Sequence, residues 1–198
     1  MPERSVLERC WNSNIDGAGL SVSKADKVEI HKGFMKFADF YNALKQYGKD
    51  DAIVMHFRRT TQGGIEPGLT HPFPLDFGLT KTENAKRMRT LNITTHCAIS
   101  HNGDIPMTST PRHRKDFPND SDTEIFIRDY VTKLLERPED LKDPVKLQIL
   151  SALIGHDSKL AIHTAEGIQV VGWFNEKEGA YFSNFSNAVH FDSFKEIK

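Results

Sequence analysis

Ala52-Ile53-Val54-Met55-His56-Phe57 is a short apolar run with turn-forming residues on each side, the pattern of a buried strand. A second such run, Cys97-Ala98-Ile99, follows downstream. Between the two, residues 60–92 carry Gly63-Gly64, Pro67-Gly68, Pro72 and Pro74, which predicts a long loop, and long loops in small domains often hold functional residues. Upstream, residues 19–23 and 28–32 flank the polar Lys24-Ala25-Asp26-Lys27 and read as a hairpin. Phe37, Phe40, Tyr41 and Leu44 recur at helical spacing and predict a helix over residues 35–47. Val6, Leu7, Cys10 and Trp11 form one stripe of a short first helix, residues 3–11, and Asn12-Ser13-Asn14-Ile15-Asp16-Gly17 then turns the chain.

Downstream of the second run, residues 102–119 form another loop with three prolines and the basic cluster Arg112-His113-Arg114-Lys115. Residues 122–135 are helical by spacing, with Ser121 as N-cap and Glu124 completing a capping box. Residues 145–154 form a further helix. The tail predicts strands at 160–163, 169–174 and 180–185, joined by turns at Glu166-Gly167 and Glu178-Gly179. Helices and hairpins alternate without βαβ regularity, so the residues predict an α/β (α+β) class with mainly antiparallel sheet. No repeat or linker divides residues 1–198, and a single domain is expected.

Composition narrows the function classes. Hydrophobic residues make up 38% and charged residues 27%, as in ordinary globular proteins. Lys+Arg 26 against Asp+Glu 27 leaves no field that recommends nucleic acid or an anionic membrane. The basic cluster 112–115 has no interleaved aromatics for base stacking and reads as a solvated loop. No apolar run approaches the roughly 20 residues needed to span a bilayer, and the start has no secretory stretch, so a cytoplasmic protein is expected. Cys10 and Cys97 form no CxxC pair. His56, His71, His96 and His101 raise a metal-hydrolase alternative, but no HExxH or comparable ligand spacing occurs, so no metal is assigned. Strand alternation would place His56 and Arg58 on one face as a pocket wall.

Five short strings carry the chemistry: Asn14-Ile15-Asp16-Gly17-Ala18-Gly19, His56-Phe57-Arg58-Arg59-Thr60-Thr61-Gln62-Gly63, Thr70-His71-Pro72-Phe73, His101-Asn102-Gly103 and Ser121-Asp122-Thr123-Glu124. Asn102-Gly103 taken alone is a hairpin turn signal. In this order, with strands before the second and fourth and a helix after the last, the strings resemble class II glutamine amidotransferases, members of the N-terminal nucleophile hydrolase superfamily. The resemblance covers residues 14–135, and the tail more loosely through 184. It implies a four-layer αββα sandwich of antiparallel sheets, no cofactor, and a glutaminase-type domain that binds glutamine and hydrolyses its side-chain amide to release ammonia.

The resemblance also assigns roles. Glutamine is a zwitterion, and Arg58 and Asp122 match the positions that hold its α-carboxylate and α-ammonium; a guanidinium suits the first because its fork pairs bidentately. Asn102 and Gly103 match the oxyanion hole, whose donors must be in place before the amide is attacked. Thr61 and Gln62 fall where the family lines the glutamine site on a mobile loop. Gln62 stands where a histidine is usual, and Arg59 where an aromatic is frequent. His71 matches a family loop motif and reads as structural.

The family's nucleophile is an N-terminal cysteine that uses its own α-amine as base. Here Pro2 follows Met1, and Cys10 and Cys97 read as core residues. The expectation is a chain whose start has been placed after a short cysteine-headed strand. The alternative is a pseudoenzyme or ligand-binding module that keeps the pocket without the nucleophile. An active form would supply ammonia to a separate synthetase subunit or act as a plain amidohydrolase, and homo-oligomerisation stays open.

Overall fold

Along β1 (Ala18–Lys24), Ala18, Leu20 and Val22 alternate with Gly19, Ser21 and Ser23, and this period of two gives the strand an apolar and a polar face. A computed structural model describes residues 1–108, 118–177 and 180–184 of the chain. In it β1 lies between β2 (Lys27–Phe34) and β3 (Ile53–Phe57), antiparallel to both, and β5 (Asn92–Thr95) adds beyond β2. A second antiparallel sheet runs β4 (Phe73–Leu75), β6 (Cys97–Asn102), β7 (Lys159–Thr164), β8 (Gly167–Val171). A small hairpin, β9 (Asn175–Lys177) with β10 (Ala180–Phe182), stands apart from these sheets.

Helices cover the outer faces. The apolar face of β1 packs with Leu7 of α1 (Arg4–Ser13) and with Phe40 and Leu44 of α2 (Phe37–Leu44). Aromatic edges fill this layer: Phe40 meets Phe57 at 4.9 Å between ring centres, and Trp11 meets Phe37 at 5.9 Å. On the other side, Cys97, Ile99, Leu160 and Ile162 pack with Met88 of α3 (Lys81–Met88), with Phe126 and Val131 of α4 (residues 122–134), and with Leu150 and Ile154 of α5 (Pro144–Ile154). Helix α4 opens as Asp122–Phe126, passes through a π-helical stretch, Ile127–Val131, and ends in Thr132–Leu134. Its start is the predicted capping box: the Ser121 hydroxyl accepts from the Glu124 amide, and the Glu124 carboxylate accepts from the Ser121 amide.

The two sheets face one another through their less apolar sides. The hydrophobic cluster between them is small, Val28, Ile30 and Ala98 with Ile93 against it. His163 of β7 bridges across: its Nδ1 lies 2.9 Å from Ser21 Oγ and its Nε2 2.8 Å from Ser23 Oγ. Ser23 Oγ donates its proton to the Thr164 carbonyl, 3.1 Å away, so it accepts from His163 Nε2–H and leaves Nδ1 to accept from Ser21. Burial lowers the His163 pKa to about 4. Lys32, also buried, donates to the carbonyls of Gly68 and Met88 and sits 4.1 Å from the centre of the Phe73 ring; burial lowers its pKa to about 7.

The chain changes sheets abruptly. β5 ends at Thr95 and β6 begins at Cys97, so His96 alone separates a strand of one sheet from a strand of the other. The Thr95 hydroxyl fixes this corner, meeting Asp76 Oδ1 at 2.9 Å, the Cys97 carbonyl at 3.1 Å and the Leu75 carbonyl at 3.3 Å.

The structure departs from the expected elements in several places. Residues 60–92 are not one loop; they hold a 3-10 turn at Pro67–Leu69, β4, α3 and the first residue of β5. The second helix is shorter than residues 35–47, and the strand expected at 169–174 begins earlier and ends at Val171. The basic cluster 112–115, the turn Glu178-Gly179 and Phe185 lie outside the described residues. No described helix is long and apolar enough to cross a membrane.

Candidate functional site

β3 delivers Arg58 to the end of its strand, where the chain is clamped by the Asn14-to-Gly19 turn. The Arg58 amide donates to the Gly17 carbonyl at 2.8 Å, the Asp16 amide donates to the Arg58 carbonyl at 3.0 Å, and Asp16 Oδ2 accepts from the Thr60 amide at 2.8 Å. The Arg58 side chain is only 4% exposed. Its Nη1 donates to the Gly64 carbonyl at 2.7 Å and its Nη2 to the Gln62 carbonyl at 3.1 Å, so the guanidinium holds the following loop in place. Burial works against its charge, and the carboxylates of Asp16, Glu124 and Asp122 work for it.

β6 brings His101, Asn102 and Gly103 to the same end of the molecule from the other sheet. Gly103 has φ +121°, and a Cβ there would stand 2.6 Å from Ser158 Oγ, so this position takes glycine for backbone shape and for packing against the turn before β7. Asp122 is the first residue of α4 and 6% exposed. Its Oδ2 accepts from the Ile105 amide at 3.1 Å and its Oδ1 from the Thr123 amide at 2.8 Å, which fixes the carboxylate at a helix N-terminus where the dipole favours negative charge.

One cleft of about 70 Å³ is lined by all six residues singled out from the sequence, namely Arg58, Thr61, Gln62, Asn102, Gly103 and Asp122. Thr61 donates to Asp104 Oδ1 at 2.9 Å across its rim. Cys10 and Cys97 are not among the lining residues, and burial pushes both thiols above their ordinary pKa.

Three histidines back the cleft; the sequence placed His56 on the pocket wall beside Arg58 but treated His71 and His101 as structure or as a metal alternative. His56 Nε2–H donates to the His101 carbonyl at 2.9 Å, and the His101 amide donates to His71 Nδ1 at 3.2 Å. The rings of His56 and His71 lie 4.2 Å apart, and His101 Nδ1 reaches the Thr123 hydroxyl at 3.0 Å. Burial pulls all three pKa values down, His56 to about 4, so they are neutral near pH 7. His96 lies elsewhere, beside Lys27. Among the described residues no group of three His, Cys, Asp or Glu side chains is placed to hold a metal ion.

The arrangement offers a cation, a carboxylate and a strand end with an amide side chain around one small polar volume. Such a volume suits a short ligand carrying both charges and a hydrogen-bonding tail. Against models of known protein families the chain matches none, and no curated protein matches its sequence.

Proposed function

We propose that this cleft is the glutamine pocket of a class II glutamine amidotransferase-type domain, built on the four-layer αββα sandwich of the N-terminal nucleophile hydrolases. The observation that carries the reading is the convergence of Arg58, Thr61, Gln62, Asn102, Gly103 and Asp122 on one cleft, from two sheets and a helix N-terminus. In this reading Arg58 pairs with the α-carboxylate and Asp122 with the α-ammonium. Asn102 and the Gly103 amide receive the charge that develops on the side-chain carbonyl oxygen when the amide is attacked, and losing one such donor raises the barrier by about 3–4 kcal/mol. Thr61 and Gln62 close the pocket on the loop that Arg58 itself holds.

Hydrolysis needs a cysteine at the Asn102 side of the cleft, and neither Cys10 nor Cys97 reaches it. The 198-residue chain is therefore assigned glutamine binding. Ammonia release, for a partner synthetase or as plain amidohydrolysis, belongs to a form headed by an N-terminal cysteine. The same observation favours a second reading, in which the chain is a binding module that senses glutamine without turning it over.

Thermal unfolding with millimolar L-glutamine tests the binding claim: the midpoint rises for the unaltered chain and not for Asp122→Asn or Arg58→Lys. A flat response from the unaltered chain ends the glutamine reading. Ammonia release is measured alongside, and robust turnover abolished by Cys10→Ala would move the nucleophile to α1.

A further inference from the structure

Arg89 follows α3 as its C-cap and does not line the cleft, yet all three of its guanidinium nitrogens are committed to segments that do or that adjoin them. Nη1 donates to Glu66 Oε2 at 3.2 Å. Nη2 donates to the Asn119 carbonyl at 3.3 Å, to Asp120 Oδ1 at 3.1 Å and to Glu124 Oε2 at 3.3 Å, and Nε donates to Glu124 Oε1 at 2.5 Å. Glu66 closes the loop whose carbonyls at Gln62 and Gly64 hold the Arg58 guanidinium. Residues 119–124 lead into α4 and present Asp122.

The geometry is that of a clip between the two charged walls. Glu124 is 1% exposed, and its carboxylate serves both Arg89 and the Ser121 capping box, so the group that aims the first turn of α4 is the group Arg89 neutralises. Asp120 is also buried and is shared between Arg89 and Arg128. On the other side, a Cβ added to Gly68 would come 3.2 Å from the Arg89 carbonyl, so the backbone after Glu66 lies tight against Arg89 as well. A planar fork can reach three carboxylates in different directions, which a lysine ammonium on a flexible stem does not reproduce.

We propose that Arg89 is a positioning residue that sets the separation between the Arg58 loop and Asp122, and thereby the preference for a ligand bearing an α-carboxylate and an α-ammonium together. The proposal rests on the glutamine reading of the cleft. It differs from a plain stabilising role in what it says about selectivity. Displacing Asp122 removes the partner of the ammonium, while the Arg58 end still meets a carboxylate.

Calorimetric titration of the full chain compares L-glutamine with glutaramic acid, which keeps the carboxylate and side-chain amide but lacks the α-amino group. Arg89→Gln lowers affinity for glutamine about tenfold more than for glutaramic acid, the scale of a lost charged hydrogen bond, because only glutamine needs Asp122 held in place. Arg89→Lys recovers part of the loss. Glu66→Gln, which loosens only the loop and leaves the buried carboxylates paired, changes affinity for the two ligands alike, and Arg89→Lys serves if Arg89→Gln does not fold. An equal loss for both ligands, or no loss, overturns the proposal. If the unaltered chain binds neither ligand, the glutamine reading itself has failed, and the clip is judged by amide exchange: Arg89→Gln must loosen residues 61–66 and 119–124 together, and loosening of one or neither removes the clip too.

Discussion

The layers between sheet and helix differ in kind from the layer between the two sheets. Outside, Leu20, Phe40 and Leu44 on one face and Phe126, Ile99 and Leu150 on the other make dry, aromatic and aliphatic packing. Inside, Ser21, Ser23, Ser100, Lys32, His56 and His163 surround a small apolar cluster of Val28, Ile30 and Ala98. A sandwich usually builds its core between its sheets. Here stability resides in the outer layers, and the inner layer trades apolar packing for hydrogen-bonded polar groups that lead to the cleft.

Four measurements break or sharpen this contrast. The largest effect is expected in the outer layers: Phe40→Ala or Phe126→Ala costs about 3–5 kcal/mol in urea unfolding, since each side chain is fully buried and leaves a cavity. A loss under 1 kcal/mol at both would remove the claim that these layers carry the fold.

Next comes acid. His56 and His163 titrate near 4 in the folded chain against about 6.5 unfolded, so below 6.5 the unfolded state binds more protons. Stability is full above pH 6.5 and falls as pH drops towards 4, by about 3 kcal/mol for each such histidine. His71 and His101 act in the same direction. Unfolding midpoints that stay level from pH 7 to pH 4.5 would contradict a neutral, buried histidine layer.

Smaller again, Ser21→Ala takes the donor from His163 Nδ1 and costs about 1–2 kcal/mol, with the ring's chemical shifts reporting the loss. The smallest effect belongs to Ser100. Its buried hydroxyl meets no hydrogen-bond partner among the described residues, so Ser100→Ala changes stability by less than about 0.5 kcal/mol or raises it. A loss as large as that of Ser21→Ala would mean a bound water completes the inner layer at that point.

Much of this organisation was legible in the residues. The hairpin β1–β2, the strands β3 and β6, and the cap of α4 all follow from alternation, turn residues and the Ser121–Glu124 spacing. α3 escaped because Lys81-Thr82-Glu83-Asn84-Ala85-Lys86-Arg87-Met88 has almost no apolar stripe; its signal was the Thr80–Glu83 capping box. β4 was hidden by Pro72 and Pro74, which an edge strand tolerates because it need not donate on both sides. β5 is four residues long and gives no period to count. The six residues that line the cleft were singled out because each sits in a short string whose order carried the resemblance. Arg89 was not, since an ion pair between residues far apart in sequence leaves no local pattern. The three neutral histidines could be suspected from His56 sharing a strand face with Arg58, but their mutual hydrogen bonds are a product of the folded chain.

The passage from Thr95 to Cys97 ties these layers mechanically. A single residue between strands of opposite sheets leaves little slack for one sheet to slide past the other there, and the Thr95 hydroxyl pins the corner from both sides. At this corner the two sheets are held together with little freedom to slide apart. A chain cut at this corner would leave β4 in one half without its partner strand and turn β6 in the other half into an exposed edge, so the two halves would be poorly suited to fold alone and well suited to find each other again.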